Sequence, residues 1–285
     1  SKYIYYSNKD GRFSIWSGGL FEFSRNEKLI TGEATGSMEE FHYLRTGLAW
    51  FPDSRRFAYA AKTALGDKIY IADHESGEIL QEIGFPQLKS IYEIDIAPDG
   101  ESCVFAAQSD LHTDLYQYNF SKAELIQLTD DSFSEAQPRF APDGTRIAFA
   151  SERTTVADGF RKGYFSSLRS NIYALDLQSR EIKQVTFNEF NCTHPVWDST
   201  GTGLVFISER DSVPNLELFD LARGKISVLT KVLSGVYGFD FNPGFNYLVY
   251  SCYFDGGWDI YLKTAPLADL TYTDASLPQT VMLED

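Results

Sequence analysis

Four histidines, His42, His74, His112 and His194, are the first candidates for acid–base or metal chemistry in this 285-residue sequence. They form no H-E-x-x-H pair, the spacing that sets two imidazoles on one helical face around zinc. A serine nucleophile would call for a strained G-x-S-x-G turn; "WSGGL" (16–20) and "GESCV" (100–104) place Ser beside Gly without that spacing. A phosphate-cradling glycine-rich loop is absent too. Cys103, Cys192 and Cys252 are too widely spaced for a C-x-x-C zinc or redox site, and Cys103 and Cys252 sit in apolar runs where buried thiols are expected. Asp10, Asp99, Asp143 and Asp255 each precede a glycine, a position where turns favour Asp for backbone reasons. The chain is expected to be non-enzymatic, with no cofactor and no metal.

Binding chemistry is more visible than catalysis. The segment "ERTTVADGFRKGYFSSLRS" (152–170) gathers Arg153, Arg161, Lys162 and Arg169 with Phe160, Tyr164 and Phe165, on a chain whose net charge is −15. Arg and aromatic side chains are favoured interface anchors, and loops this long in compact domains are commonly functional. A surface loop whose aromatics tuck against its own scaffold has the same composition. The excess of 40 acidic over 25 basic residues repels a phosphate backbone, so the expected partner is a protein or peptide and not nucleic acid. No apolar run approaches the length of a membrane span, and a monomer is expected. The sequons at Asn119 and Asn191 would matter only in a eukaryotic secretory setting, and chance accounts for them. The opening "SKYIYYS" lacks Met, which fits an excised domain or a processed product.

The elements that must position these residues are strands. Aromatics make up 15% of the chain, with 17 Tyr and 22 Phe, a composition suited to half-buried strands. "RFAPDGTRIAFASER" (139–153) runs an apolar strand into Pro-Asp-Gly and out as a second strand. Related stretches are "LAWFPDSRRFAYAA" (48–61), "EIDIAPDGESCVFAA" (93–107), "PVWDSTGTGLVFISER" (195–210) and "FDFNPGFNYLVYSC" (239–252). Anchored on Pro52, Pro98, Pro142, Ser199 and Pro243, they recur at intervals of 46, 44, 57 and 44. Two further strands follow each hairpin, as in "NIYALDLQSREIKQVT" (171–186), so each unit has four strands. Four-stranded antiparallel repeats at this period point to a β-propeller, which buries both faces of each blade. The expected fold is all-β, one six-bladed propeller over 1–285. A partial blade spans 1–31 and blades span 46–83, 91–129, 136–186 and 193–230. The last blade and closing tail span 236–285, with "PQTVMLE" (278–284) as the closing strand.

The pattern P-x-F-x-P-D-G, then I-A-F-x-S, I-Y-x-x-D and L-T resembles the TolB-type propeller repeat, also found in tricorn-like and prolyl-oligopeptidase-like proteins. Residues 138–151, Ile172-Tyr173, Asp176 and Val185-Thr186 carry the fullest copy. The resemblance implies a periplasmic or envelope location and a partner entering the channel across the top face. It carries no residue motif for partner binding. By propeller geometry the starts of the first strands ring the channel mouth: Thr46, Tyr92, Glu93, Glu135, Gln137, Thr193, His194 and Tyr237. The long 152–170 loop lies on the same face. The expectation is a protein- or peptide-binding scaffold. The alternative is a gating or regulatory propeller within a larger hydrolase or peptidase; a Ca²⁺-dependent lactonase-type propeller would require converging carboxylates.

Overall fold

The computed structural model describes residues 2–31, 38–41, 45, 47–109, 112–153, 169–242, 244 and 246–275, with the backbone alone described over 22–25. Among them every regular element is a strand, and the strands form six antiparallel sheets. The chain divides into two compact units, Ser1–Gly144 and Thr145–Asp285.

The first unit opens with a three-stranded sheet of β1 (Lys2–Ser7), β2 (Ser14–Gly19) and β3 (Glu22–Thr31). The partial unit read at the start of the sequence is thus three successive strands. In the second sheet β4 (Glu40–Phe41) and β5 (Leu48–Trp50) both pair with β6 (Arg56–Lys62), which continues through β7 (Lys68–Asp73) to β8 (Ile79–Gly84). The third sheet is a four-stranded meander of β9 (Ser90–Ile96), β10 (Ser102–Gln108), β11 (Thr113–Asn119) and β12 (Glu124–Gln127). β13 (Glu135–Phe140) closes the unit, the first strand of the fourth sheet.

The second unit supplies the rest of that sheet, β14 (Arg146–Ser151), β15 (Asn171–Asp176) and β16 (Ile182–Gln184). β17 (Cys192–Trp197), β18 (Gly203–Ser208), β19 (Asn215–Asp220) and β20 (Lys225–Val228) form the fifth sheet. β21 (Gly238–Phe241), β22 (Tyr247–Phe254) and β23 (Gly257–Thr264) form the sixth. Beyond the three-stranded first sheet and the pairing of both β4 and β5 with β6, two features depart from a uniform four-strand unit. The sixth sheet has three strands among the described residues. The chain after β23 then turns back as β24 (Tyr272–Asp274) and pairs with β20, giving the fifth sheet five strands. The expected closing strand at 278–284 lies outside the described residues.

Burial follows strand position. β10 and β18 are buried along nearly their whole length, so they read as continuous apolar runs and not as alternating ones. Outer strands such as β8 and β12 are largely exposed or half-buried. Stacked ring pairs bridge neighbouring strands: Phe105 with Tyr116, Phe149 with Tyr173, and Tyr59 with Tyr70. All three cysteines are buried and free. Burial raises the Cys192 thiol to about 12 and raises Cys103 and Cys252 as well, which disfavours the thiolate form at all three.

The repeated sequence signals have a hydrogen-bonding cause. At the Pro-Asp-Gly corners the N–H of Ser54, Gly100, Gly144 and Gly201 donates back three residues, to Phe51, Ala97, Ala141 and Asp198, over 2.8 to 3.1 Å. The donors take φ between 56° and 74°, so a type I turn ends in a left-handed residue, which is why three of the four are glycine. The aspartates act on the backbone: Asp99 accepts from Glu101 N–H at 2.8 Å, and Asp53 from Arg55 and Arg56 N–H at 2.9 Å. The Leu-Thr or Val-Thr ending of the outer strand is a clasp. The hydroxyls of Thr129, Thr186 and Thr230 each accept the N–H of the third strand, at Leu115, Ile172 and Leu216, all at 2.9 Å. Thr186 and Thr230 pass their own protons to Asn171 and Asn215, again at 2.9 Å.

Candidate functional site

Five residues before each turn anchor lies a position near the start of a first strand: Gly47, Glu93, Gln137, His194 and Gly238. Three of these five are polar, and all three have left-handed backbone, with φ of 47° at Glu93, 56° at Gln137 and 54° at His194. Such a conformation strains any side chain bearing a Cβ, by roughly 1–2 kcal/mol per residue. In β9 and β17 it accompanies a β-bulge: the register slips between Tyr92 and Asp95 opposite Val104 and Ala106, and between Thr193 and Val196 opposite Val205 and Ile207. A bulge re-aims the side chain it carries, and such strain persists where surrounding contacts impose it.

In the first unit the bulge at Glu93 is the centre of a polar cluster. Glu93 is buried; Arg45 Nε lies 3.5 Å from its Oε1 and the Gln137 N–H donates to Oε2 at 3.1 Å. Burial pushes the Glu93 carboxyl above the usual glutamate range, against the opposing pull of Arg45 and of the Gln137 N–H. The Arg45 guanidinium also lies 4.1 Å from the centre of the Tyr92 ring, a cation–π contact. Gly47 passes so close to this bulge that a Cβ there would fall 2.0 Å from the Ile94 nitrogen. Two residues further along β9, Asp95 accepts the Phe140 N–H at 2.8 Å and meets Arg139 Nη1 at 3.3 Å, which locks β13 beside β9. Glu135 is wholly buried and accepts the Thr129 hydroxyl at 2.8 Å. Of the first-strand residues singled out by sequence, Tyr92, Glu93 and Gln137 come together; Thr46 lies outside the described residues.

In the second unit His194 is half-buried, its Nδ1 3.1 Å from the Thr193 hydroxyl. Arg153 does not reach outward. Its guanidinium lies over the rings of Phe149 and Tyr173, its own sheet's stacked pair, and the Tyr173 hydroxyl donates to its carbonyl. Arg169 is exposed. Phe160, Arg161, Lys162, Tyr164 and Phe165 lie outside the described residues. Tyr237 meets a residue that the repeat pattern does not single out: its ring stands at 89° to Trp258 with centroids 5.1 Å apart, and Trp258 also contacts Tyr253. Register makes that cluster, because Tyr253 and Trp258 face each other across the β22–β23 ribbon. Its sequence signal is the run of large aromatics in "YSCYFDGGW", flanking a glycine turn.

These sheets, strand lengths and bulges define a six-bladed β-propeller. No protein-family model matches the chain. TolB from Acinetobacter baumannii superposes with a TM-score of 0.68 at 18% identity, covering 93% of this chain and 61% of that one. A manganese complex of oligogalacturonate lyase gives 0.57 at 11% identity, covering 95% and 72%. By sequence, the Tol-Pal system protein TolB of Francisella tularensis is 26% identical over 118 residues, 41% of this chain. Dipeptidyl-peptidase 5 of Porphyromonas gingivalis is 25% identical over 152 residues, 50% of this chain. The matched stretches span 24% and 21% of those two proteins. The likeness is one of fold: the chain is built as a six-bladed β-propeller.

Proposed function

We propose that the chain is a non-enzymatic, protein- or peptide-binding propeller of the bacterial cell envelope, recognising its partner through the polar side chains on its first-strand bulges. The observation that carries this reading is the left-handed backbone at Glu93, Gln137 and His194. Three non-glycine residues at one repeated position hold a left-handed backbone, strain of a kind that collects at functional sites. Likeness to TolB supports the envelope location and the partner class.

The test is capture from bacterial envelope extracts by the purified protein and by a variant carrying Glu93→Ala, Gln137→Gly and His194→Gly. A specific protein retained by the parent and lost by the folded variant is the expected result. Equal capture by both would remove the bulges from the binding surface.

A second reading is favoured by the match to a dipeptidyl-peptidase, of which this chain matches about a fifth: the propeller acts as the gate or regulator of a hydrolase carried on the same polypeptide. A peptidase region encoded in the same gene would favour it.

A further inference from the structure

The described residues expose few large apolar side chains, and four of them belong to one hairpin and its approach: Tyr237 (49% exposed), Tyr253 (46%), Phe254 (64%) and Trp258 (61%). An aromatic group of this size left in water marks an interaction surface. Its geometry narrows the occupant. Tyr237 and Tyr253 both meet Trp258 edge to face, at 89° and 73° with centroids 5.1 and 5.5 Å apart. Rings set at right angles present a corner and not a flat platform, so a single compact group can meet the face of one ring and the flank of another. A sugar ring stacking on a broad plane is served less well.

Charge points the same way. The β22–β23 hairpin carries the exposed Asp255 at its turn, on a chain whose net charge is −15. The only cation in these two strands, Lys263, is at the far end, its Nζ donating to the Leu229 carbonyl at 2.7 Å. Two half-buried rings elsewhere in the molecule show the same pairing within the chain: Lys9 Nζ stands 3.6 Å from the centre of the Trp16 ring, and the Arg223 guanidinium 5.2 Å from that of Tyr272. Aromatic faces attract cations through their quadrupole, and nearby carboxylates add to that field.

We infer that Tyr237, Tyr253 and Trp258 form a docking corner for a lysine or arginine side chain on a cationic segment of a partner protein. This surface is on the sixth sheet, and it does not rest on the Glu93, Gln137 and His194 reading.

The probe is a fluorescently labelled peptide of alternating lysine and glycine. It is read by anisotropy against the parent, Trp258→Ala and Tyr237→Ser, two substitutions that leave the charge unchanged. An uncharged Gly-Ser peptide and cellotetraose serve as competitors. The lysine peptide is expected to bind the parent, to lose about tenfold in affinity with Trp258→Ala, and to be displaced by neither competitor. In ¹⁵N-labelled protein the peptide is expected to shift the Trp258 indole signal, assigned by its loss in Trp258→Phe. Unchanged signals from Trp16, Trp50 and Trp197 report that the variants remain folded. Equal affinity for parent and Trp258→Ala would reduce the effect to bulk charge and overturn the inference, as would absence of binding or displacement by cellotetraose. Glu101→Gln, which removes an exposed carboxylate outside both surfaces, is expected to leave the peptide's affinity within twofold; the envelope capture does not use this peptide, so failure here leaves the proposed function standing.

Discussion

The two ends of each repeat obey different rules. At the hairpin end the chemistry is uniform: a Pro-Asp-Gly-type corner, an Asp that binds backbone N–H groups, and a left-handed residue that is glycine in three of four copies. At the first-strand end the corresponding position is Gly, Glu, Gln, His and Gly in turn, and the three polar residues adopt a conformation that glycine would take at less cost. One end repeats because it closes strands; the other varies while bearing strain. Their carboxylates differ in the same sense. Asp73, at a hairpin end, accepts Arg55 Nε at 2.6 Å and the N–H groups of Glu75 and Ser76, and these bonds, led by Arg55, hold its carboxyl far below the usual range. Glu93, at a bulge, is shifted up by burial.

Scaffold substitutions are expected to cost most. Phe105→Ala empties a wholly buried site between stacked rings and should lower stability by about 3–5 kcal/mol, measured by chemical denaturation. Thr186→Val removes the hydroxyl that accepts the Ile172 N–H and donates to Asn171, leaving two buried polar groups without it, and should cost about 1–3 kcal/mol. Gly100→Ala forces a Cβ onto φ of 74° and should cost roughly 1–2 kcal/mol. His194→Gly reverses that test: relief of its left-handed strain should leave stability equal or slightly raised while partner capture falls. A His194→Gly protein as destabilised as Gly100→Ala would erase the difference between the two ends.

The smallest expected effect is in pH dependence. A glutamate raised in the folded state above its unfolded value of about 4.3 contributes stability at low pH that is lost as pH climbs through the folded value. Glu93→Gln should flatten that decline. Asp73 has the opposite sign: its contribution is present above about pH 3.9 and disappears as the solution becomes more acidic, so Asp73→Asn should weaken the acid limb of the stability profile.

Legibility in sequence follows from whether a signal is local. Turns at Pro-Asp-Gly, the strand after them and the closing Thr are written in neighbouring residues, so period and strand order are readable from the residues alone. The left-handed bulges are not: Glu, Gln and His announce no positive φ, although the positions themselves stand out as polar starts to apolar strands. The pairing of both β4 and β5 with β6, and the return of β24 to the edge of β20, depend on contacts with strands distant in sequence. The Trp258 corner is hidden for the same reason, since only the Tyr253–Trp258 register brings its rings together. Arg153 illustrates the converse: a cation whose composition suggests an outward-facing anchor lies instead on Phe149 and Tyr173, a ring pair assembled by the pairing of two strands.

The most direct test places a photo-crosslinking amino acid at residue 194 and, separately, at the exposed hairpin-end residue Lys122, then irradiates each protein in envelope extract. Recognition through the first-strand bulges predicts a discrete crosslinked species from position 194 that is missing from position 122. The same pattern from both positions, or a species from position 122 alone, would contradict it.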